Sequence, residues 1–519
     1  MAKIQYEIFQ FFNFCFGLGK KAPNPALRDL EILLSVVKSI RNWITRHSTH
    51  HHRIHHSSSF VFVYQPMSAA KSKRNATHFS PCKKRRTSTS KPTKLIVLDY
   101  NDLLEGKDLS EQIKNAFGTE GLGILAVSNV PNVAEQRQAL LPLAPKFSNL
   151  SDEHKALYEH PQSFWSFGWS HGKEKLQGRP DFAKGSYYNN PCSNTPFGSD
   201  PTTKTIQDWI SFAHPNIWPT KHLPELEPAF MSLGQTMCSV GALVAKQCDT
   251  YVSNVSQSYE KGKLARVLTE SKVTKARLLH YFPKAEEKRA RADSIEVRSS
   301  AYRGRSGSFN DSVDVQAVVK AVQEIQETNT TATAAATAAA TSTSSTNEEE
   351  DFSSWCGWHN DHGSLTALCP AMYFEQNPID GSVTILERSP DPSAGLYIRS
   401  RDGELHHVKA PSTKHLLFQI GETSQIHSGG ILQATPHAVR GVNVPNVCRS
   451  TFACFMEPGW EEIMNAPSDR NPEEAQSNKS ESALPKGVPS LKSRWGSTDC
   501  PFTTCDFGAF TKATLGALH

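Results

Sequence analysis

Residues 358–366 read WHNDHGSLT, and this stretch decides how the rest of the chain is interpreted. In an extended segment, residues two apart project to the same side of the backbone, so His359 and Asp361 can reach one point. A second histidine, His437, follows in residues 434–439, ATPHAV. Two imidazoles and one carboxylate on a triangular face commonly hold catalytic Fe(II) and leave coordination positions open. The pattern therefore predicts a metal centre built from these three side chains.

Short apolar segments separated by turns surround this motif. Residues 395–398 and 405–408 flank Asp402-Gly403, and Asp-Gly between apolar runs is a strong signal for a β-hairpin. Residues 415–420 and 450–456 are further candidate strands. Closely spaced strands with such turns indicate an antiparallel barrel or jelly roll. Because antiparallel pairing joins distant segments, this architecture can bring a remote histidine to the first two ligands.

The region before these strands has a different pattern. Residues 95–98 and 124–127 are short apolar strand candidates on either side of a helical stretch near 108–117. Residues 133–160 and 222–260 have the apolar spacing of helices that pack against a core. This part of the chain is therefore predicted to be mostly helical.

An arginine follows the third candidate ligand on the next strand. A guanidinium inside a barrel requires an anion, and Arg449 could hold the far carboxylate of 2-oxoglutarate bidentately. Thr451 projects to the same face and offers a hydroxyl. A lone His-x-Asp or a lone strand arginine is weak evidence, but the ordered set favours an iron site.

These ordered motifs closely resemble the isopenicillin N synthase-like branch of the 2-oxoglutarate/Fe(II) dioxygenase superfamily. The family pattern is HxDxGxLT, then ATPH, then R-x-S, and this chain has HNDHGSLT, ATPH and RST. Residues 277–283, RLLHYFP, stand where the family has an R-L-N-Y-Y-P strand. The chain departs from the family at Leu279, His280 and Glu422, and it has Thr451 in place of serine.

The resemblance implies an α+β fold whose core is a double-stranded β-helix (jelly roll) flanked by helices. It implies that His359, Asp361 and His437 are the catalytic metal ligands. The site of the 2-oxoglutarate co-substrate would be formed by Arg449, Thr451 and Tyr281.

The resemblance also implies an activity. The protein would be an oxidoreductase that uses Fe(II), 2-oxoglutarate and O2 to oxidise, in most relatives hydroxylate, a small organic molecule, releasing succinate and CO2. Ascorbate is a candidate reductant. Three alternatives stay open: an iron oxygenase or oxidase that does not use 2-oxoglutarate, a non-catalytic jelly-roll binding protein, and a zinc-bound cupin-like protein. The aromatic segment 164–188 either lines the substrate pocket or packs the helical region against the barrel, and we favour packing. The sequence leaves the substrate and the oligomeric state unknown.

The chain divides into four regions by pattern. We expect 1–93 to be a disordered or targeting extension and 94–275 to be the mostly helical N-terminal region. Residues 276–460 would form the jelly-roll core, with a disordered insertion at 284–350, because its Thr/Ala tract has little to bury. Residues 461–519 would be a C-terminal tail that ends in a helix at 507–518.

Composition narrows the class of partner and compartment. The net charge of +5 is small for 519 residues and its basic excess lies in the first hundred, so no nucleic acid is expected. No stretch reaches the roughly 20 apolar residues of a membrane span. The 11 cysteines contain no CxxC, which is typical of a reduced, intracellular protein. The cytoplasm is the first expectation, and the basic, Ser/Thr-rich residues 67–94 leave a plastid, mitochondrion or nucleus open.

Overall fold

The computed structural model describes residues 93–173, 175–176, 179–284, 355–476 and 489–518. The predicted extension at 1–93 lies outside the described residues except for Thr93. The predicted insertion at 284–350 likewise lies outside them except for Lys284. Both therefore remain predictions.

The described residues form helices and strands in the mixture that the sequence predicts. The strands are β1 Val97–Asp99, β2 Ile124–Ser128, β3 Gly168–His171, β4 Lys175–Leu176, β5 Arg179–Pro180, β6 Lys184–Asn189, β7 Lys275–Tyr281, β8 Cys356–His359, β9 Leu365–Leu368, β10 Met372–Gln376, β11 Val383–Leu386, β12 Gly395–Arg399, β13 Leu405–Val408, β14 Leu416–Ile420, β15 His437–Arg440 and β16 Val447–Met456. The helices are α1 Tyr100–Glu105, α2 Ser110–Phe117, α3 Val133–Leu140, α4 Leu143–Ser148, α5 Asp152–Ala156, α6 Lys204–Asp208, α7 Ile210–Ala213, α8 Leu226–Val255, α9 Lys263–Glu270, α10 Glu422–His427, α11 Pro472–Gln476 and α12 Phe507–Leu518.

The strands that position the candidate site belong to one large sheet and one small sheet. The large sheet has the order β1-β2-β14-β9-β16-β7-β6-β3, with β10 paired to β16 and β11 paired to β10. The small sheet has the order β13-β12-β15-β8, and β4 pairs separately with β5. From β7 onward the chain passes repeatedly between the two sheets. As a result β8 and β15 are neighbours although they are far apart in sequence.

The two sheets pack face to face through apolar side chains. One cluster joins Leu279 and Ala453 of the large sheet to Val439 of the small sheet. A second cluster joins Leu417 of the large sheet to Ile398 of the small sheet. Burial of such apolar surface stabilises the fold by roughly 25 cal/mol per Å². These contacts fix the position of one sheet relative to the other. They therefore decide which strand ends, and which polar residues on those ends, face each other.

Helix α8 packs on the large sheet. Gly241 permits this approach, because a Cβ atom there would lie 2.4 Å from Sδ of Met456. The helix is long and apolar enough to cross a membrane by length and composition alone. One of its buried residues is Asp249, whose carboxylate accepts hydrogen bonds from the amides of Leu264 and Ala265, at 2.9 Å each. We interpret α8 as a core helix.

Several predicted elements are confirmed. The hairpin pairs Leu396 with Val408, and Gly403 in its turn has a φ of +85°, which favours glycine. The C-terminal helix has the predicted bounds. The predicted helix at 133–160 is instead three short helices. The first ends at Leu140, two residues before Pro142, which has no backbone N–H to continue the helical hydrogen bonds.

The expectation of fully reduced cysteines is wrong for one pair. Cys500 and Cys505 form a disulfide, with their Cα atoms 4.6 Å apart. A local turn brings the two residues together, and spacing alone did not reveal it. The other cysteines of the described ranges are free thiols.

Candidate metal centre

The three predicted ligands meet where β8 and β15 lie side by side. His359 is the last residue of β8, and it pairs directly with His437, the first residue of β15. Asp361 lies just beyond the end of β8. The His-x-Asp motif therefore spans the end of a strand rather than lying inside one, and its two side chains still converge.

The ligand atoms are close enough to bind one cation. Oδ1 of Asp361 lies 3.9 Å from Nε2 of His359 and 3.7 Å from Nε2 of His437. One ligand atom from each residue lies within 4.8 Å of the others. Throughout the part of the chain that the structure describes, no other set of three or more His, Cys, Asp or Glu side chains converges in this way.

Hydrogen bonds orient both imidazoles with Nε2 toward the centre. Nδ1 of His359 donates to the carbonyl of Gly357 at 2.8 Å, so in the neutral form of the ring Nε2 carries the lone pair. Nδ1 of His437 lies 2.6 Å from the side-chain amide of Gln419 and 3.3 Å from the carbonyl of Thr435. The amide nitrogen of Gln419 faces this ring, and its oxygen has no partner among the described residues; turning the amide over would let the oxygen accept from Nδ1 and leave Nε2 of His437 free to bind a metal.

Burial and neighbouring charge act differently on the two histidines. Burial and the nearby His359 lower the pKa of His437 to about 4, so this ring is neutral near pH 7. Burial also disfavours charge on His359, but Cys356 and Asp361 outweigh it and raise its pKa to about 9. Without a cation, His359 therefore holds a proton beside Asp361, and an incoming metal would have to displace it.

Asp361 has an incomplete set of partners. Its Oδ2 is buried and has no hydrogen-bond partner among the described residues. A buried carboxylate oxygen normally has a partner, since the unpaired group costs free energy. A divalent cation would supply the missing interaction, and two nitrogens with one oxygen suit Fe(II) among other divalent metals. The residues present therefore fit a metal ion.

A buried cation with free donors lies on the large sheet. Arg449 of β16 stands opposite Tyr281 of β7, and its guanidinium lies over the Tyr281 ring at 4.9 Å and the Trp355 ring at 5.9 Å. Its Nε and Nη1 atoms are buried and have no partner within the described ranges. A guanidinium in this state is suited to a carboxylate ligand. Sequence reasoning did not identify Trp355 in this site.

The other two predicted residues differ in availability. Burial raises the pKa of Tyr281, which keeps its phenol neutral beneath the guanidinium. Thr451 lies on the same face as Arg449, but its hydroxyl donates to the carbonyl of Cys369 at 3.1 Å. Thr451 could therefore only accept a hydrogen bond from a ligand. Its predicted contact with a carboxylate remains a prediction.

Gln419 is a site residue that sequence reasoning missed. It lies in β14, is fully buried, and contacts the imidazole of His437. The signal was present in the sequence, because Gln419 is the single polar residue in the strand LLFQI. A polar residue on a buried strand usually has a specific partner.

His362 has a structural environment. Its ring stacks on Phe507 at 5.1 Å and Phe510 at 4.6 Å, and Nε2 lies 3.0 Å from the Thr511 hydroxyl. The interpretation that it stands outside the ligand set is confirmed, since it faces helix α12. The metal segment is thus packed against the C-terminal helix.

The aromatic segment 164–188 mainly packs. Trp169 and Tyr187 are buried, with ring centroids 5.1 and 4.9 Å from that of Phe147. Phe164 differs, because it is 76% exposed. The packing interpretation is therefore confirmed for the buried rings.

No protein-family model and no curated protein matches the sequence. Solved structures similar to the chain include a 2OG-Fe(II) oxygenase family protein from Caulobacter crescentus, with 14% identity and a TM-score of 0.49 over 83% of this chain and 100% of that one. A Neurospora crassa protein in complex with alpha-KG has 17% identity and a TM-score of 0.44 over 71% and 87%. A dioxygenase for auxin oxidation from Arabidopsis thaliana, bound to 2-oxoglutarate, has 12% identity and a TM-score of 0.42 over 74% and 99%. Since these identities and TM-scores are low, the similarity does not establish a function for this chain.

Proposed function

We propose that this protein is a 2-oxoglutarate- and Fe(II)-dependent dioxygenase of the isopenicillin N synthase-like branch that oxidises a small organic molecule, with hydroxylation as the simplest outcome. The observation that carries the proposal is the convergence of His359, Asp361 and His437 on one point. The unpaired Oδ2 of Asp361 supports it, because the site is complete only with a cation.

The three ligands would occupy one face of the metal. Their neutral nitrogens and single carboxylate would leave positions for the co-substrate and O2. When bound, Fe(II) supplies the activation of O2 that amino-acid side chains cannot provide. The protein's own contribution is to orient both imidazoles through Gly357 and Gln419 and to keep the carboxylate of Asp361 buried.

Arg449 would bind the far carboxylate of 2-oxoglutarate. Its buried Nε and Nη1 atoms lack partners in the described ranges, and each can donate a hydrogen bond to a ligand oxygen. Tyr281 would hold the guanidinium plane in place through the ring contact at 4.9 Å. The hydroxyl of Thr451 would donate to this carboxylate only by turning away from the carbonyl of Cys369, and it otherwise has a structural role.

The strand order supports the finer fold proposal. Strands β7, β9, β10, β11, β14 and β16 belong to the large sheet, whereas β8, β12, β13 and β15 belong to the small one. Repeated passage between two facing sheets is typical of a double-stranded β-helix, and we propose this jelly roll for 276–460. The mostly helical region 94–275, the tail 461–519 and an intracellular location are proposals of the same kind.

The test is a metabolite screen with Fe(II), ascorbate and 2-oxoglutarate labelled at C1. We expect a substrate-stimulated release of labelled CO2 that matches succinate formation and O2 uptake. Asp361→Ala should abolish the release, and Arg449→Met should raise the concentration of 2-oxoglutarate required.

Other outcomes identify the alternatives. O2 uptake that does not depend on added 2-oxoglutarate would favour an oxygenase or oxidase without this co-substrate. Binding of small molecules without any O2 uptake would favour a non-catalytic binding protein. Zinc retained after anaerobic purification, in place of iron, would favour the cupin-like alternative.

A further inference from the structure

A buried ion pair connects the C-terminal tail to the metal segment. Arg494 donates from Nη2 to Oε1 of Glu422 at 2.6 Å and from Nη1 to Oε2 at 2.7 Å. The two side chains are only 3% and 2% exposed. Arg494 also donates to the Thr514 hydroxyl at 3.1 Å and the Ser490 carbonyl at 3.2 Å. The pair is therefore bidentate and buried, and further hydrogen bonds hold Arg494 within the C-terminal tail.

Glu422 begins a turn that binds the backbone of the metal segment. Its amide donates to the carbonyl of Asp361 at 2.9 Å. Thr423 donates from its amide to the Gly363 carbonyl at 3.2 Å and from its hydroxyl to the His362 carbonyl at 2.9 Å. The start of α10 thus holds three consecutive carbonyls, the first of which belongs to a predicted metal ligand.

The same carboxylate also binds the residue between the two ligands. Nδ2 of Asn360 donates to Oε1 of Glu422 at 3.1 Å. Oε1 therefore accepts from Asn360 and from Arg494 at once. Because Asn360 separates His359 from Asp361, its side chain fixes the backbone from which both ligands project.

We infer that the Arg494–Glu422 pair is a positioning element of the metal centre, through which the tail sets the spacing of His359 and Asp361. This inference rests on the proposed function, since it presupposes that the triad binds a divalent metal. Groups that orient metal ligands typically change metal affinity about 10- to 100-fold when they are lost. Arg494, Glu422 and Asn360 are positioning residues and do not touch the metal.

A second arginine–glutamate pair, which is more exposed, provides a control. Arg266 donates to both carboxylate oxygens of Glu462 at 3.2 Å, and the pair joins α9 to the segment after β16. It has the same bidentate geometry, and the contacts described for it do not include the metal segment. A variant that breaks this pair reports the effect of losing an ion pair without disturbing the ligands.

The experiment is a Co(II) titration of the full-length, metal-stripped protein, followed by absorbance, with thermal unfolding of each metal-free variant. We expect Arg494→Lys to weaken Co(II) binding about 10-fold or more, because a lysine cannot bind both oxygens. Asn360→Ala should weaken it similarly and should leave the ion pair and the melting temperature nearly unchanged. Arg266→Lys should bind Co(II) like the wild type.

The outcomes separate the two proposals. Wild-type affinity in both Arg494→Lys and Asn360→Ala would overturn the positioning role, even if Arg494→Lys lowered the melting temperature. Equal losses in Arg494→Lys and Arg266→Lys, with none in Asn360→Ala, would overturn it as well. If the wild type does not bind Co(II), or if His437→Ala does not abolish the binding, the proposed function is overturned, and the inference with it.

Discussion

Arg449 and Arg494 are two buried arginines with opposite surroundings. They are 8% and 3% exposed, so both have lost most of their contact with water. Arg494 donates to Glu422, Thr514 and backbone carbonyls. Arg449 faces aromatic rings, and two of its nitrogens have no partner among the described residues. Groups of the chain itself therefore satisfy the donors of Arg494, a structural arginine, whereas Arg449 keeps donors that a ligand could satisfy.

The carboxylates show the same difference. Both oxygens of Glu422 accept hydrogen bonds, whereas Oδ2 of Asp361 is buried and has no partner in the part of the chain that the structure describes. A buried polar group without a partner costs free energy, so its presence requires an explanation. The proposed function explains Asp361 and Arg449, because a bound metal and a bound anion would supply the missing partners. This distinction makes predictions about which variants lose activity and which lose stability.

The largest expected effect is that of Asp361→Ala on turnover. Removing the only carboxylate ligand should lower 2-oxoglutarate decarboxylation by about 10⁴-fold, which equals about 5.5 kcal/mol. The free energy of unfolding of the metal-free protein should change little, because removing a buried oxygen without a partner among the described residues offsets the lost ion pair with protonated His359. Kinetics and urea unfolding of the same preparation check both. A variant that keeps its activity would show that Asp361 is not a metal ligand.

Arg494→Met should mainly reduce stability. It leaves the carboxylate of Glu422 buried without its cation, and the expected loss in the free energy of unfolding is about 3–5 kcal/mol. Denaturant unfolding of the metal-free protein measures this. A loss below about 1 kcal/mol would mean that water or other groups satisfy the carboxylate of Glu422, and that Arg494 is not a structural arginine in this sense.

Arg449→Met should mainly reduce binding. We expect the Kd for 2-oxoglutarate to rise about 100-fold, or about 2.7 kcal/mol, with little change in unfolding. Arg137→Met is the control, because Arg137 is buried and donates to the carbonyls of Pro370 and Ala371 at 2.6 and 2.7 Å. The control should lose stability and keep its affinity. The reverse pattern would contradict the assignment of Arg449.

His280 also has a buried polar atom without a partner among the described residues, but it is not part of the candidate metal site. Its Nδ1 lies 3.2 Å from the Ser450 hydroxyl, but its buried Nε2 has no partner in the described ranges, although it lies outside the triad. Burial, with a smaller effect of His171, lowers its pKa to about 3 from the ordinary 6.5. Between these values the unfolded chain binds the proton and the folded chain does not. Stability should therefore fall as pH falls from 6.5 to 3, by about 1.4 kcal/mol per pH unit for this group.

The variant His280→Phe isolates this contribution. Its free energy of unfolding should depend less steeply on pH between 6 and 4, by about one proton, and its activity at pH 7 should persist. Unfolding curves at several pH values measure the slope. An unchanged slope would show that His280 is protonated in the folded protein.

The sequence predicted the residues whose position follows from local periodicity. His359 and Asp361 converge because residues two apart share a side, and the β12–β13 hairpin follows from Asp402-Gly403. The pairing of His437 with His359 needed antiparallel topology, which the turn pattern supplied. Local patterns were sufficient wherever the partner was a neighbouring strand.

Contacts that depend on tertiary packing were not predictable in the same way. Arg494 lies 72 residues from Glu422 in a polar tail, and nothing in either segment marks the other as its partner. The disulfide between Cys500 and Cys505 forms because a turn of the folded chain brings the two residues together. The hydroxyl of Thr451 is occupied because the carbonyl of Cys369 lies within hydrogen-bond distance in the folded chain. Which polar groups are already satisfied is a property of the folded chain, and it separates structural from functional residues here.

The most direct measurement is anaerobic Fe(II) binding by the metal-stripped protein, with and without 2-oxoglutarate. We expect one Fe(II) per chain, with 2-oxoglutarate binding only to the iron-loaded protein and needing Arg449. Asp361→Ala and His437→Ala should bind neither. Iron binding that persists at wild-type affinity in both variants, or an absence of iron binding by the wild type, would contradict the account.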